Sequence, residues 1–119
     1  MVTNVVAELI IGINNDELFG QHLVLGAGGV LVEILKDAQV LLLPTSKDEV
    51  LHALQNLRCA PMFSGFRGKK PADLNAIADA VMAVLDYSQQ YPVYELDINP
   101  LLALEHGVIA VDALVQLGQ

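Results

Sequence analysis

The chain has 119 residues, 54% of them hydrophobic, with three Phe, three Tyr and no Trp, which predicts one domain whose modest core is built from Val, Leu, Ile and Ala. A net charge of −8 with only six basic residues excludes nucleic acid as the main partner, because backbone phosphates demand a dense Lys/Arg footprint. A lone Cys59 excludes an internal disulfide or a cysteine metal cluster, and the apolar runs are too short to span a bilayer.

The β-branched run Val5 to Ile13 predicts a strand that ends at the turn signal Asn14-Asn15-Asp16. His22 to Gly26, Leu31 to Leu35 and Ala38 to Leu43 read as further short strands, most simply as a meander. The glycines of Gly26-Ala27-Gly28-Gly29 lack the Gly-Lys-Ser/Thr ending of a phosphate loop and precede a strand pattern, not a helix. They read as a tight bend or bulge. Past Pro44, Ser46 and Glu49 form a capping box ahead of Val50, Leu51, Leu54 and Leu57, predicting a helix over about Lys47 to Leu57. The loop Gly65-Phe66-Arg67-Gly68-Lys69-Lys70 gathers three of the six basic residues. It is an anion attractor, or more plainly a solvated basic loop ahead of a helix start where Asp73 favours the dipole. Pro71 can open a second helix with the apolar stripe Leu74, Ile77, Ala78, Val81 and Leu85, stopping near Tyr91-Pro92. Cys59 reads as a small buried hydrophobe more readily than as a nucleophile. His22, His52 and His106 show no metal or triad spacing. With no signal segment at the start, and a single cysteine that suits a reducing compartment, the expectation is a soluble, cytoplasmic protein without a membrane partner.

The most informative stretch is Glu95-Leu96-Asp97-Ile98-Asn99-Pro100, followed by Glu105-His106-Gly107 and then Val111-Asp112-Ala113. Residues i and i+2 of a strand share a face, so Asp97 and Asn99 point the same way. If the chain reverses at Glu105-His106 with Leu104 facing Gly107, Asn99 falls opposite Asp112 and three oxygen-bearing side chains converge. Mg²⁺ takes one or two such oxygens from a protein and fills its other positions with water and substrate phosphates. A one-residue slip would separate the groups, a three-residue turn with Gly107 in a bulge is an alternative, and polar residues at the ends of an edge hairpin are the bland reading.

These residues carry a family resemblance over nearly the whole chain. Glu8 through Gly12, Asp16 with Phe19-Gly20, Gly26-Ala27-Gly28-Gly29 through Glu33 to Asp37, Leu43-Pro44, Gly65-Phe66-Arg67-Gly68, Asp73-Leu74, Glu95 through Leu101 and Val111-Asp112-Ala113 resemble the ATP-grasp domain of ADP-forming acyl-CoA synthetases. The same domain is similar to the nucleotide-binding half of the succinyl-CoA synthetase β subunit and to the synthetase-like region of bacterial protein lysine acetyltransferases. The resemblance implies the C-terminal ATP-grasp lobe, an α/β (α+β) fold with a mostly antiparallel sheet and two main helices packed on it, occupying residues 1–119 as one domain of a larger protein. It implies that Asn99 and Asp112 hold Mg²⁺ against ATP or ADP, that Asp97 is an additional metal contact or acts through the groups around the metal, that Glu8 receives the ribose hydroxyls, and that Arg67 belongs to the catalytic Gly-Phe-Arg-Gly motif. CoA is implied as a cofactor of the parent enzyme, which would interconvert acyl-CoA, ADP and phosphate with free acid, CoA and ATP through a phosphorylated histidine.

The chain departs from the family pattern in two respects. The first ATP-grasp lobe, the CoA-binding domain and the phosphorylated histidine have no counterpart here, so the chain alone is expected to be inactive and to need those parts as partners; an apolar face left uncovered would also favour a homo-oligomer. Leu114 stands where the family commonly carries a basic residue. It leaves two other roles open: a non-catalytic nucleotide- or CoA-sensing module of a protein acetyltransferase, and a structural subunit completing a cleft with a partner chain.

Overall fold

The computed structural model describes residues 5–16, 18, 20–28, 37–63 and 71–118. Among these residues the chain forms β1 (Val5–Asp16), β2 (Gly20–Ala27), β3 (Ala38–Leu42), α1 (Lys47–Gln55), α2 (Ala60–Phe63), α3 (Leu74–Gln90), β4 (Val93–Leu104), β5 (Val108–Ala110) and β6 (Ala113–Leu117). The sheet runs β3-β2-β1-β4, with β5 and β6 pairing successive stretches of the outer side of β4, and every pairing is antiparallel. No described helix is long and apolar enough to cross a membrane.

Alternation decides which face is covered. Leu9, Ile11 and Ile13 on β1, Leu23 and Leu25 on β2, and Leu96, Ile98, Leu101 and Ala103 on β4 are buried together. Against them pack Val50, Ala53 and Leu54 of α1 and Ile77, Ala78, Val81 and Leu85 of α3. Each helix presents one apolar stripe at three- and four-residue spacing to one face of the sheet, the arrangement that removes both faces from water at once. The expected antiparallel sheet with two main helices is therefore the observed one, and both helices carry their predicted stripes.

The differences from the sequence reading are local. β1 runs through Asn14-Asn15-Asp16 instead of ending there, because these residues pair with His22, Gln21 and Gly20 and the Asn15 amide donates to the Tyr94 carbonyl on β4. The reversal falls later, before Gly20, whose φ of 75° suits a residue without a Cβ. β3 pairs directly with β2, and the strand predicted over Leu31 to Leu35 lies outside the described residues. The second helix begins at Leu74, not Pro71, because the Asp73 carboxylate accepts from the Ala76 N–H at 3.1 Å and closes the first turn there. The short helix α2 was not anticipated, since four residues are too few for a period to register.

Gly26, in β2, and Gly28, just after it, stand where backbone segments approach closely, while Gly29 of the expected bend or bulge lies outside the described residues. A Cβ on Gly26 would stand 2.8 Å from the Asp37 carbonyl oxygen, and one on Gly28 would stand 3.1 Å from the backbone of Glu8 and Leu9. The Gly28 N–H in turn donates to the Glu8 carbonyl at 2.8 Å. Asp37 is almost fully buried. Its carboxylate is satisfied by the Arg58 and Cys59 N–H groups at 2.6 and 2.8 Å, which pins the segment after α1 to the start of β3.

Candidate functional site

Among the described residues the sheet face turned away from the helices is uncovered, and the terminal hairpin forms one edge of it. Leu101, Leu102 and Ala103 pair with Ala110, Ile109 and Val108. The same register continues through Ile98 with Ala113, Asp97 with Leu114, Leu96 with Val115 and Glu95 with Gln116. Between these blocks the Asn99 N–H donates to the Asp112 carbonyl at 3.1 Å, and the Leu104 N–H donates to Gly107 at 3.1 Å. The reversal is thus at Glu105-His106 and Asn99 stands opposite Asp112, as the unslipped register requires; Gly107 takes a φ of 86°.

A shift in the β1–β4 pairing between Leu9 and Ile11 determines what each part of β4 shows to solvent. Before it the buried residues are Leu96 and Ile98, and after it they are Leu101 and Ala103. An extra residue in one strand moves side chains to the opposite face, so Asp97 and Asn99 are exposed while Leu96 and Ile98 anchor the strand to the helices. Side chains directly opposite in an antiparallel pair share a face. The open face therefore carries Asp112 beside Asn99, Leu114 beside Asp97, and Gln116 beside Glu95, with Gly12 of β1 opposite Asp97 on its other side.

Two cavities lie near the strands, the first at the Asp97 end of this row and the second away from it, and neither is lined by Asn99 or Asp112. One, of about 260 Å³, is lined by Gly12, Asn14, Glu95, Leu96, Asp97, Leu114 and Gln116. The other, of about 210 Å³, is lined by Val5, Val6, Ala7, Glu8, Ala27, Gly28 and Cys59. Glu8 is exposed and pairs with Leu102, three residues along β4 from Asn99. At the rise of a strand that separation is about 10 Å. The structure brings Asp97, Asn99 and Asp112 into one row and sets Glu8 apart at a second recess. Arg67 lies outside the described residues.

Charge and titration follow from these placements. Glu8, Glu95, Asp97 and Asp112 are all exposed acidic residues, whereas the described basic side chains, Lys47 and Arg58, belong to α1 and the turn after it. The open face accordingly favours a cation. Burial, and then the Asp37 carboxylate beside it, push the Cys59 thiol up to about 12, so it lines its cavity as a neutral group. The Asp73 carboxyl is held below the usual carboxylate range, first by the Gly107 N–H, then by the Ala76 N–H and His106.

The donor chemistry discriminates between metals. Among the described residues no group of three or more His, Cys, Asp or Glu side chains is placed to hold an ion. Two carboxylates and an amide on an open face fit Mg²⁺, which keeps most of its shell as water and phosphate oxygens. Glu95 and Gln116 were not singled out from sequence, although extending the i, i+2 row one step back from Asp97 reaches Glu95. Gly12, Asn14 and Leu114 join the row only through strand pairing.

Comparison with known proteins sets this geometry in a family. The ATP-grasp domain matches residues 1–117. The chain is 38% identical over 107 residues to the β subunit of an ADP-forming acetate–CoA ligase I of Pyrococcus furiosus, covering 89% of this chain and 46% of that subunit. It is 38% identical over 113 residues to the ADP-forming acetate–CoA ligase I of Archaeoglobus fulgidus, covering 94% of this chain and 16% of that protein. Its fold superposes with a TM-score of 0.87, at 33% identity, on the acetyl-coenzyme A synthetase 1 of Candidatus Korarchaeum cryptofilum in complex with coenzyme A and Mg-AMPPCP, covering 94% of this chain and 53% of that one. The chain thus spans about half, or less, of the proteins it matches. With the domain matched over residues 1–117 and its overall fold shared with the Korarchaeum enzyme, the chain belongs to the ATP-grasp domain family.

Proposed function

We propose that this chain is the magnesium-nucleotide-binding lobe of an ADP-forming acyl-CoA synthetase, an enzyme that interconverts acyl-CoA, ADP and phosphate with free acid, CoA and ATP. The observation that carries the reading is the hairpin register that sets Asn99 against Asp112 on the open face, beside Asp97. The relatives are ADP-forming CoA ligases, and the Korarchaeum enzyme was solved with coenzyme A and a magnesium nucleotide analogue; both support it.

In this reading Asn99 and Asp112 hold Mg²⁺, and Asp97 orients water in its shell. A magnesium ion held there would supply charge neutralisation to nucleotide phosphates. Asn99 contributes a neutral oxygen and Asp112 a charged one, so the pair offsets only part of the ion's charge and leaves it attractive to phosphate. Leu96 and Ile98, buried on the other side of β4, keep the strand from rotating its ligands away. Glu8 receives the ribose hydroxyls, and Val5, Val6, Ala7 and Ala27 around it supply apolar walls. Arg67, outside the described residues, is assigned a catalytic role from its Gly-Phe-Arg-Gly motif alone.

A site on one open sheet face cannot exclude water by itself. Ile109, Val111 and Leu114 on the return strand are exposed, which supports a covering lobe or subunit as partner, with the CoA-binding part beyond it. The test is nucleotide binding titrated against Mg²⁺ in the assembled enzyme. Asn99→Ala and Asp112→Ala each remove the metal dependence while the fold persists. Wild-type turnover at limiting Mg²⁺ in both variants refutes the assignment.

A further inference from the structure

The return strand that carries Asp112 buries little of either face: Val108, at its start, packs partly against the core, and the residues after it do not. Every residue of β6 is exposed, as are Ile109, Ala110, Val111 and Asp112. A strand's register is strongly specified where one of its faces is buried, and weakly where none is. Burial of Leu96, Ile98, Leu101 and Ala103 orients β4, whereas Val108 alone packs the return strand against the core, which specifies its register weakly. Something other than hydrophobic alternation must keep Asp112 opposite Asn99.

The turn shows what does. In a two-residue hairpin the last rung pairs the N–H and C=O of both flanking residues. Here Leu104 N–H donates to the Gly107 carbonyl at 3.1 Å, but the other half of the rung is taken by Asp73 from the start of α3. The Asp73 N–H donates to the Leu104 carbonyl at 3.0 Å, and its carboxylate accepts from the Gly107 N–H at 3.0 Å. The other carboxylate oxygen accepts from the Ala76 N–H at 3.1 Å and caps α3. One residue therefore grips both sides of the turn and is itself anchored to the helix that packs on β4. A one-residue slip would put Val108 or His106 at the gripped position and ask a residue with a Cβ to adopt the φ of 86° found at Gly107.

We propose that Asp73 is a positioning residue that sets the register of the return strand, and through it the pairing of Asn99 with Asp112; its consequence for Mg²⁺ rests on the metal reading given above. Charge-assisted hydrogen bonds to backbone N–H groups are among the stronger ones a surface turn can make. The cap and the clamp use different oxygens, so they are separable. Asp73→Ser keeps an N-cap oxygen for α3 but has none left to reach Gly107, and Asp73→Asn keeps the size and the cap while turning an amide nitrogen toward the Gly107 N–H.

The experiment measures amide hydrogen exchange across residues 99–112 and Mg²⁺ half-saturation for nucleotide binding, in the intact enzyme and in both variants. Protection at Gly107 and at Asn99 falls by about tenfold or more. The Mg²⁺ half-saturation rises by about tenfold, with little change in nucleotide affinity at saturating metal and with a thermal midpoint above that of Asp73→Ala. Wild-type protection at Asn99 in both variants overturns the register claim. Lost protection with unchanged Mg²⁺ half-saturation overturns its link to the metal. If Asn99→Ala leaves the Mg²⁺ dependence unchanged as well, it is the metal assignment that fails, and the exchange result alone decides the clamp.

Discussion

Replacing Gly26 with Ala tests the close packing at the β2–β3 junction. The added Cβ would meet the Asp37 carbonyl oxygen at 2.8 Å, the Ala38 Cβ at 3.2 Å and the Ala38 Cα at 3.4 Å. None of these is the free end of a flexible side chain, so the backbone must move. The same carbonyl accepts the Ala27 N–H at 2.9 Å, and the Asp37 side chain holds the Arg58 and Cys59 amides. Overpacking of this kind costs about 1–3 kcal/mol, and at about 4 °C per kcal/mol for a chain of this length the thermal midpoint falls by about 4–12 °C. Displacing Asp37 also loosens the wall formed by Cys59, so thiol labelling accelerates in the same variant. Circular-dichroism melts together with a thiol-reagent time course read both effects. A midpoint within 1 °C of wild type, with labelling unchanged, would refute the argument that the glycine is required by close approach.

Three other outcomes follow from the described geometry. Cys59, held near 12 by burial and Asp37, resists iodoacetamide between pH 7 and 9 in the folded protein and reacts at the rate of a free thiol once unfolded; Asp37→Asn raises the folded rate. Ile98→Ala, at a position only 8% exposed on the helix side, costs about 2–5 kcal/mol, whereas exposed Asn99→Ala stays within about 0.5 kcal/mol in denaturant melts. Asp73 is depressed in the fold, so its contribution is complete above the unfolded carboxylate pKa and is lost as pH falls through the lower folded value. Asp73→Asn therefore flattens the acid limb of a stability–pH curve and leaves its shape near neutrality unchanged, and an acid limb that is equally steep in the variant would contradict the assignment.

Much of this architecture is legible in the chain because local chemistry and the fold agree. The stripe Leu74, Ile77, Ala78, Val81 and Leu85, the capping pair Ser46 and Glu49, and the β-branched start of β1 each specify their element by period or cap. The Asn99–Asp112 pairing is also readable, since a reversal at Glu105-His106 gives the partners by counting as far as Glu95 and Gln116, beyond which the register shifts. Tertiary structure decided the rest. Asn14-Asn15-Asp16 reads locally as a turn, yet becomes strand because pairing with β2 and the Asn15 bond to Tyr94 use those polar groups in place of water. Asp37 and Asp73 look like ordinary polar residues near a turn and a helix start; their partners lie 21 and 34 residues away, and no local pattern encodes a bond between distant segments. Counting from the turn gives the register but not what holds it: the return strand buries little beyond Val108, so its hydrophobic pattern specifies pairing weakly, and the Asp73 contacts to Leu104 and Gly107 come from a helix start more than 30 residues away.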